Sequence, residues 1–321
     1  MSTAYLFPGQ GSQFVGMGRD LYESNDAARA LFDRADEALG FKLTDVMFGA
    51  DTGSDEGSDG AADGGAETRL QQTEFTQPAL YVHSMAVLAA LGDRAAPDMV
   101  AGHSLGEYSA LAAAGAIEFE DGLRVVRTRG ELMATAGENR PGAMAAILGM
   151  ENDLLQAVCN EASGSLGVVN PANFNAPGQI VISGDVDAVA EAVTLAQEKG
   201  AKRALPLPVS GAFHSPLMGY AHDGLSSAID ALQISEPSCP VYLNVTASPT
   251  KDASEIARRL IEQLTAPVLW AQTLENMHTD GADRFVEVGA GRVLSGLVKR
   301  TVGRDADTVS LQGADDISSF A

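Results

Sequence analysis

The chain has 321 residues, 45% of them hydrophobic, and 43 Asp and Glu stand against 21 Lys and Arg, a formal charge of −22. A chain of this length can build a full core, and with a mean hydropathy of +0.00 and no apolar run of bilayer length it reads as a protein without a membrane span. The acidic balance, with a pI near 4.4, excludes nucleic-acid binding, which needs a cationic face.

The basic residues are mostly arginine. Such a surface repels itself in dilute buffer and is screened in strong salt. A salt-rich cytoplasm and an ordinary acidic protein are both open readings. The start, MSTAYLFPGQGSQ, lacks the basic and long apolar regions of a signal peptide. Cys159 and Cys239 have neither metal-ligand spacing nor a disulfide framework, which fits a reducing cytoplasm.

In chain order, AYLF (Ala4 to Phe7) reads as a short buried strand, PGQGSQ as a turn, and Gly18 to Ala38 as one helix of apolar 3.6 periodicity. Residues 51–66, DTGSDEGSDGAADGGA, are acidic, glycine-rich and aperiodic, so a surface insertion is expected. Their acids are out of register for a calcium loop. TQPAL opens a helix to Leu91, with Pro78 in its first turn. DMVA (Asp98 to Ala101) is a strand, and Leu105 to Ile117 and Glu120 to Ala136 are helices. From Gly142 to Val209 the order is strand, helix, strand, strand, helix, strand, the βαββαβ of a ferredoxin-like unit. PVYLNVT and RFVEVG are further strands, with a helix around Ile256 to Leu264 between them. The expected fold is α/β: a large α/β-hydrolase-like domain, residues 1–138 and 210–321, with a ferredoxin-like subdomain, 139–209, inserted in it.

AGHSLGEYSA places Gly-x-Ser-x-Gly between a strand and a helix. The pattern is weak alone, but this context is that of a nucleophile elbow. It presents Ser104 at a helix N-terminus, where free N–H groups favour negative charge. The N–H of Leu105 is then placed to stabilise an oxyanion. A serine needs a base, and there are five histidines. His83 reads as structural, His103 should point away from its neighbour Ser104, and His222 and His278 lie in polar helical stretches. His214, in the glycine-containing loop LPVSGAFHSPLM between the two domains, is the favoured candidate, without excluding the other four. No acid declares itself as a third member, and a backbone carbonyl could fix the tautomer instead. PGQGSQ is neither a P-loop nor GxGxxG. It is either a plain turn or the source of a second oxyanion N–H.

GQGSQ, TQPAL, GHSLGEYSA, RxRGELM, NFNAPGQIVISG, GAFHS and VEVGAGRVLSGLVKR occur in one order from about Tyr5 to Arg300. In these motifs the chain resembles the malonyl-CoA:acyl-carrier-protein transacylases of fatty-acid and polyketide synthesis. It departs from them in the acidic insertion and the general surface acidity. The resemblance implies Ser104 as nucleophile and His214 as base, with Gln10 and Leu105 giving oxyanion N–H groups. It also implies that the Gln263 carbonyl orients the histidine and that Arg129 grips the malonyl carboxylate. Phe213, beside the base, implies malonyl over methylmalonyl. The implied partners are malonyl-CoA and an acyl carrier protein, with no metal or redox cofactor. The cysteine usage points to the cytoplasm, and a free-standing monomer is expected, though sequence does not read the oligomeric state. A thioester hydrolase differs only in the acceptor. A carrier-binding module with a relic site is disfavoured by intact Ser104, His214 and Arg129. Arg292, Lys299 and Arg300 are either a carrier-docking patch or solvated surface charge.

Overall fold

AYLF alternates its side chains across a central strand. In β1 (Ser2–Phe7), Tyr5 and Phe7 enter one buried cluster while Ala4 and Leu6 enter another. A strand buried on both faces reads as a continuous apolar run, which is the pattern of an interior parallel strand. The computed structural model describes residues 2–49, 64–136, 140–209 and 211–320. β1 is joined by β2 (Met99–Gly102), β7 (Val241–Tyr242), β8 (Pro249–Thr250), β9 (Ala282–Val288) and β10 (Asp307–Leu311) in a six-stranded sheet of order β10-β9-β1-β2-β7-β8. The pairs are parallel except for the β7–β8 edge. Helices Thr73–Leu91 and Phe119–Ala134 pack on the Tyr5 and Phe7 face, and Trp270–Thr279 and Val293–Thr301 on the other.

The expected βαββαβ unit forms the second sheet. Its strands are β3 (Gly142–Leu148), β4 (Val169–Ala176), β5 (Gln179–Asp185) and β6 (Arg203–Pro206), in the antiparallel order β4-β5-β3-β6. Helices Asn152–Ala162 and Val186–Glu198 close its own core around Ile147, Leu155, Ile180 and Ile182. The two sheets are stitched together where β4 meets the segment before Trp270. There Phe174 N–H donates to Val268 O at 2.9 Å, and Val268 N–H donates to Ala172 O at 2.8 Å.

Several boundaries differ from the sequence reading, each for a local reason. The helix expected from Gly18 to Ala38 is two, Arg19–Ser24 and Asp26–Leu39. Asn25 takes an extended conformation between them, and its side chain accepts from Ala28 N–H as the second helix's cap. The helix containing TQPAL begins earlier, at Thr73, so Pro78 lies past its first turn. Proline has no N–H to give the carbonyl four residues back, and that carbonyl, Glu74 O, accepts from Arg127 Nη1 at 2.6 Å. PVYLNVT is a strand only over its first part, because Ala247 N–H bonds back to Leu243 O in a turn. β8, β10 and the helix Leu43–Phe48 went unread. Residues 51–63 of the acidic insertion lie outside the described residues, and 64–66 begin the helix Gly64–Gln71.

Candidate active site

β2 ends at Gly102 and the next helix begins at Gly106 (Gly106–Ala113), leaving three residues for the turn. Both glycines are required by contact. A Cβ on Gly102 would lie 1.8 Å from Gly106 O, and one on Gly106 would lie 2.1 Å from Phe7 O. Ser104 sits at the apex with φ +52°, a conformation that costs free energy in a residue with a Cβ and persists only when its surroundings hold it. Asn244, two residues past the end of β7, holds it. Its Oδ1 accepts from Ser104 N–H at 2.7 Å and its Nδ2 donates to Gly102 O at 2.7 Å. The Ser104 amide is thereby committed, and Leu105 supplies the next amide at the helix start.

Ser104 Oγ lies 2.7 Å from His214 Nε2, and His214 Nδ1 lies 2.9 Å from Gln263 O. A carbonyl only accepts, so Nδ1 carries the proton and the Nε2 lone pair faces the serine. His214 also has positive φ, +56°. Burial first, and the Arg129 charge second, push its pKa down to about 3. The imidazole is neutral, with its Nε2 lone pair toward Ser104 Oγ.

Arg129 is 1% exposed. Its Nη1 donates to Gln77 Oε1 at 2.8 Å, and its Nη2 donates to Gln263 Oε1 at 2.9 Å and to Ser104 Oγ at 3.1 Å. Its guanidinium lies over the Tyr108 ring, 5.7 Å from the centroid. Burial lowers its pKa, opposed by Tyr108 and Glu107. Among the described residues no carboxylate pairs with it directly, so its neutral amide partners leave the charge available to an anion. Arg124 and Arg127, on the same helix, pair with Asp121 and Glu131 at the surface.

Gln10, Ser104, Leu105, Arg129, Phe213 and His214 line one cavity of 290 Å³. Gln263 is fully buried behind it. Phe213 is 6% exposed and stands directly before the histidine. The other histidines have separate partners. His83 Nε2 bonds Gln312 O, His103 Nε2 turns to Asn175 Oδ1 at 2.8 Å, His222 meets Asp223, and His278 Nδ1 bonds Ala282 O. Arg292, Lys299 and Arg300 are exposed around the helix Val293–Thr301, and Arg300 donates to Gln179, which lines the cavity.

The sequence reading passed over three residues of this site. Gln77 lies in the quoted TQPAL, yet nothing there says it faces Arg129. Asn244 closes a contact across 140 positions. Glu107, in GHSLGEYSA, is 1% exposed. Its Oε2 accepts from Gln263 Nε2 at 2.5 Å and weakly from Asn244 N–H at 3.4 Å. Burial pushes its pKa up to about 8 against the pull of these bonds and of Arg129.

Residues 4–318 match the family model described as an acyl transferase domain. The chain is 46% identical over 315 residues to the malonyl CoA-acyl carrier protein transacylase of Bacillus subtilis, covering 98% of this chain and 94% of the relative. The crystal structure of an acyl carrier protein S-malonyltransferase from Vibrio cholerae superposes with a TM-score of 0.90 at 40% identity, over 99% of both chains. A malonyl-transacylase solved in complex with its type II PKS acyl-carrier protein superposes with a TM-score of 0.90 at 36% identity, over 99% of this chain and 98% of that one. With the serine turn, the histidine and the buried arginine assembled around one cavity, the chain belongs to the malonyl-CoA:acyl-carrier-protein transacylase family.

Proposed function

We infer that this protein moves a malonyl group from malonyl-CoA to the phosphopantetheine thiol of an acyl carrier protein, through an ester on Ser104, in fatty-acid or polyketide synthesis. The observation that carries this reading is the buried Arg129, whose Nη2 donates to the same Oγ that lies within hydrogen-bond reach of His214 Nε2. A nucleophile flanked by a neutral base and a buried cation suits an acyl group that bears a carboxylate.

In the first half-reaction His214 Nε2 takes the Ser104 proton as Oγ attacks the thioester carbonyl. Negative charge develops on the carbonyl oxygen, where the Leu105 and Gln10 N–H groups serve as donors; losing one such donor costs about a hundredfold or more. Collapse expels coenzyme A, whose sulfur receives the proton from the imidazolium. In the second half the carrier thiol gives its proton to His214 and attacks the ester. Ser104 then leaves and regains its proton. The Gln263 carbonyl keeps the imidazole in the required tautomer throughout. Arg129 grips the malonyl carboxylate, and an acetyl group would leave it buried and unpaired, which disfavours acetyl. The Phe213 ring beside the base leaves little room for an α-methyl group, and comparable turnover of malonyl and methylmalonyl thioesters rejects that assignment.

In this reading residues 1–138 and 210–321 form the catalytic domain and 139–209 an inserted subdomain. The reaction is placed in the cytoplasm, a reading supported by two buried free thiols, Cys159 and Cys239.

Intact mass spectrometry after mixing with malonyl-CoA tests the function. The expected result is a malonyl adduct that is absent from Ser104→Ala and discharges onto added holo carrier protein. Free coenzyme A accumulating without a carrier, with no lasting adduct, would make the protein a thioester hydrolase.

A further inference from the structure

Gln263 joins the two halves of the site. Its backbone carbonyl takes His214 Nδ1–H, and its side-chain carbonyl takes Arg129 Nη2–H. Its Nε2 group donates to Ser104 O at 3.0 Å and to Glu107 Oε2 at 2.5 Å. A primary amide has one accepting and one donating end. Rotated by half a turn, this one would set N–H against guanidinium N–H, and oxygen against the Ser104 carbonyl and a carboxylate. The bond to Glu107 is the shortest of the three side-chain contacts that decide the rotamer, and it is the one made by a side chain that faces neither solvent nor the cavity.

We propose that Glu107 is a positioning residue for the substrate carboxylate: by holding the Gln263 amide in one orientation, it aims the Arg129 guanidinium at the acyl group on Ser104. Glu107 Oε1 has no hydrogen-bond partner among the described residues. An ionisable group is therefore kept dry in the core while only one of its oxygens makes close contact, which is costly unless that contact is useful. A carboxylate placed directly on Arg129 would occupy the position the substrate needs. Placed one amide away, it fixes the arginine and leaves the guanidinium free to bind.

The proposal rests on the malonyl-transfer reading and is tested beside it, by the ratio of malonyl to acetyl adduct formed on Ser104 from the two CoA thioesters. Glu107→Gln replaces the acid by a neutral amide but keeps an acceptor oxygen at the same reach. Glu107→Asp keeps the acid but withdraws it by about 1.5 Å, one carbon–carbon bond. The expected result is that Glu107→Asp lowers the malonyl-to-acetyl ratio by about tenfold or more, while Glu107→Gln rescues it to within about threefold of the wild type. Glu107→Ala, which also lacks the contact, takes the place of Glu107→Asp should the latter not fold. An Asp variant as selective as the wild type overturns the proposal. So does loss of selectivity in the Gln variant, which would make the acid itself rather than its accepting oxygen the active element, or an equal fall for both acyl groups, which would make the role structural. A wild-type protein that takes no malonyl group overturns the reading itself, and the proposal with it.

Discussion

His214 shows how its surroundings set the chemistry of one side chain. An exposed histidine gains a proton near pH 6.5, whereas burial and the Arg129 charge hold this one neutral down to about 3. The form proposed to accept the Ser104 proton therefore persists as the pH falls. The kcat/KM for acylation by malonyl-CoA, which reports the free enzyme, should stay level from about pH 7.5 to about 5.5. A rate that halves near the ordinary histidine pKa would contradict this. His83, held to about 4 by burial, shifts in the same direction. Both contribute stability that is fully present above the unfolded pKa of about 6.5 and is lost as pH falls toward their folded values. The serine was legible because its glycines have a steric cause that recurs wherever a strand turns sharply into a helix. Glu107 and Asn244 were not legible, because their roles exist only once β7 lies beside β2 and brings Asn244 under the turn. Gln263 was found only through family resemblance. A backbone carbonyl leaves no mark on residue type.

At the scale of elements, local chemistry decided where chains turn. Asn25 ends one helix and caps the next, a role an isolated periodicity count cannot see because the apolar spacing runs through it. Asn25→Ala should cost about 1 kcal/mol, read as a lower denaturant midpoint with an unchanged slope. No loss of stability would mean the cap contributes nothing. The βαββαβ unit was legible in full because each strand carries its own apolar run and each connection a helix of matching length. β10 was missed because DTVSL has one fully buried apolar residue, Leu311, at the sheet's margin. The strand after Pro240 was overread, since the residues following Tyr242 turn to bring Asn244 under the serine.

For the whole molecule, charge is the dominant departure from an ordinary surface. The excess of 22 negative charges acts against the compact state, and salt shortens the range of that repulsion from about 10 Å at 0.1 M to about 3 Å at 1 M. Surface ion pairs such as Arg124–Asp121 weaken over the same range, but exposed pairs contribute only about 0–1 kcal/mol each. Relief of repulsion should win, and the melting temperature should climb from dilute buffer to molar KCl. A flat or falling series of melts would show that the acidity does not limit stability. Among the described residues, no helix is long and apolar enough to cross a membrane.

The two hydrogen bonds between β4 and Val268 carry a mechanical consequence. Val268 lies five residues beyond Gln263, on the same stretch of chain, and Ala172 and Phe174 flank Asn173, which faces the cavity. A tilt of the four-stranded sheet that widens the entrance must either break both bonds or pull on the stretch that carries the histidine's acceptor. The doorway and the trigger share one hinge pin: a guest large enough to pry the sheets apart would slacken the base proposed to deprotonate the attacking serine, and one that fits leaves the base taut.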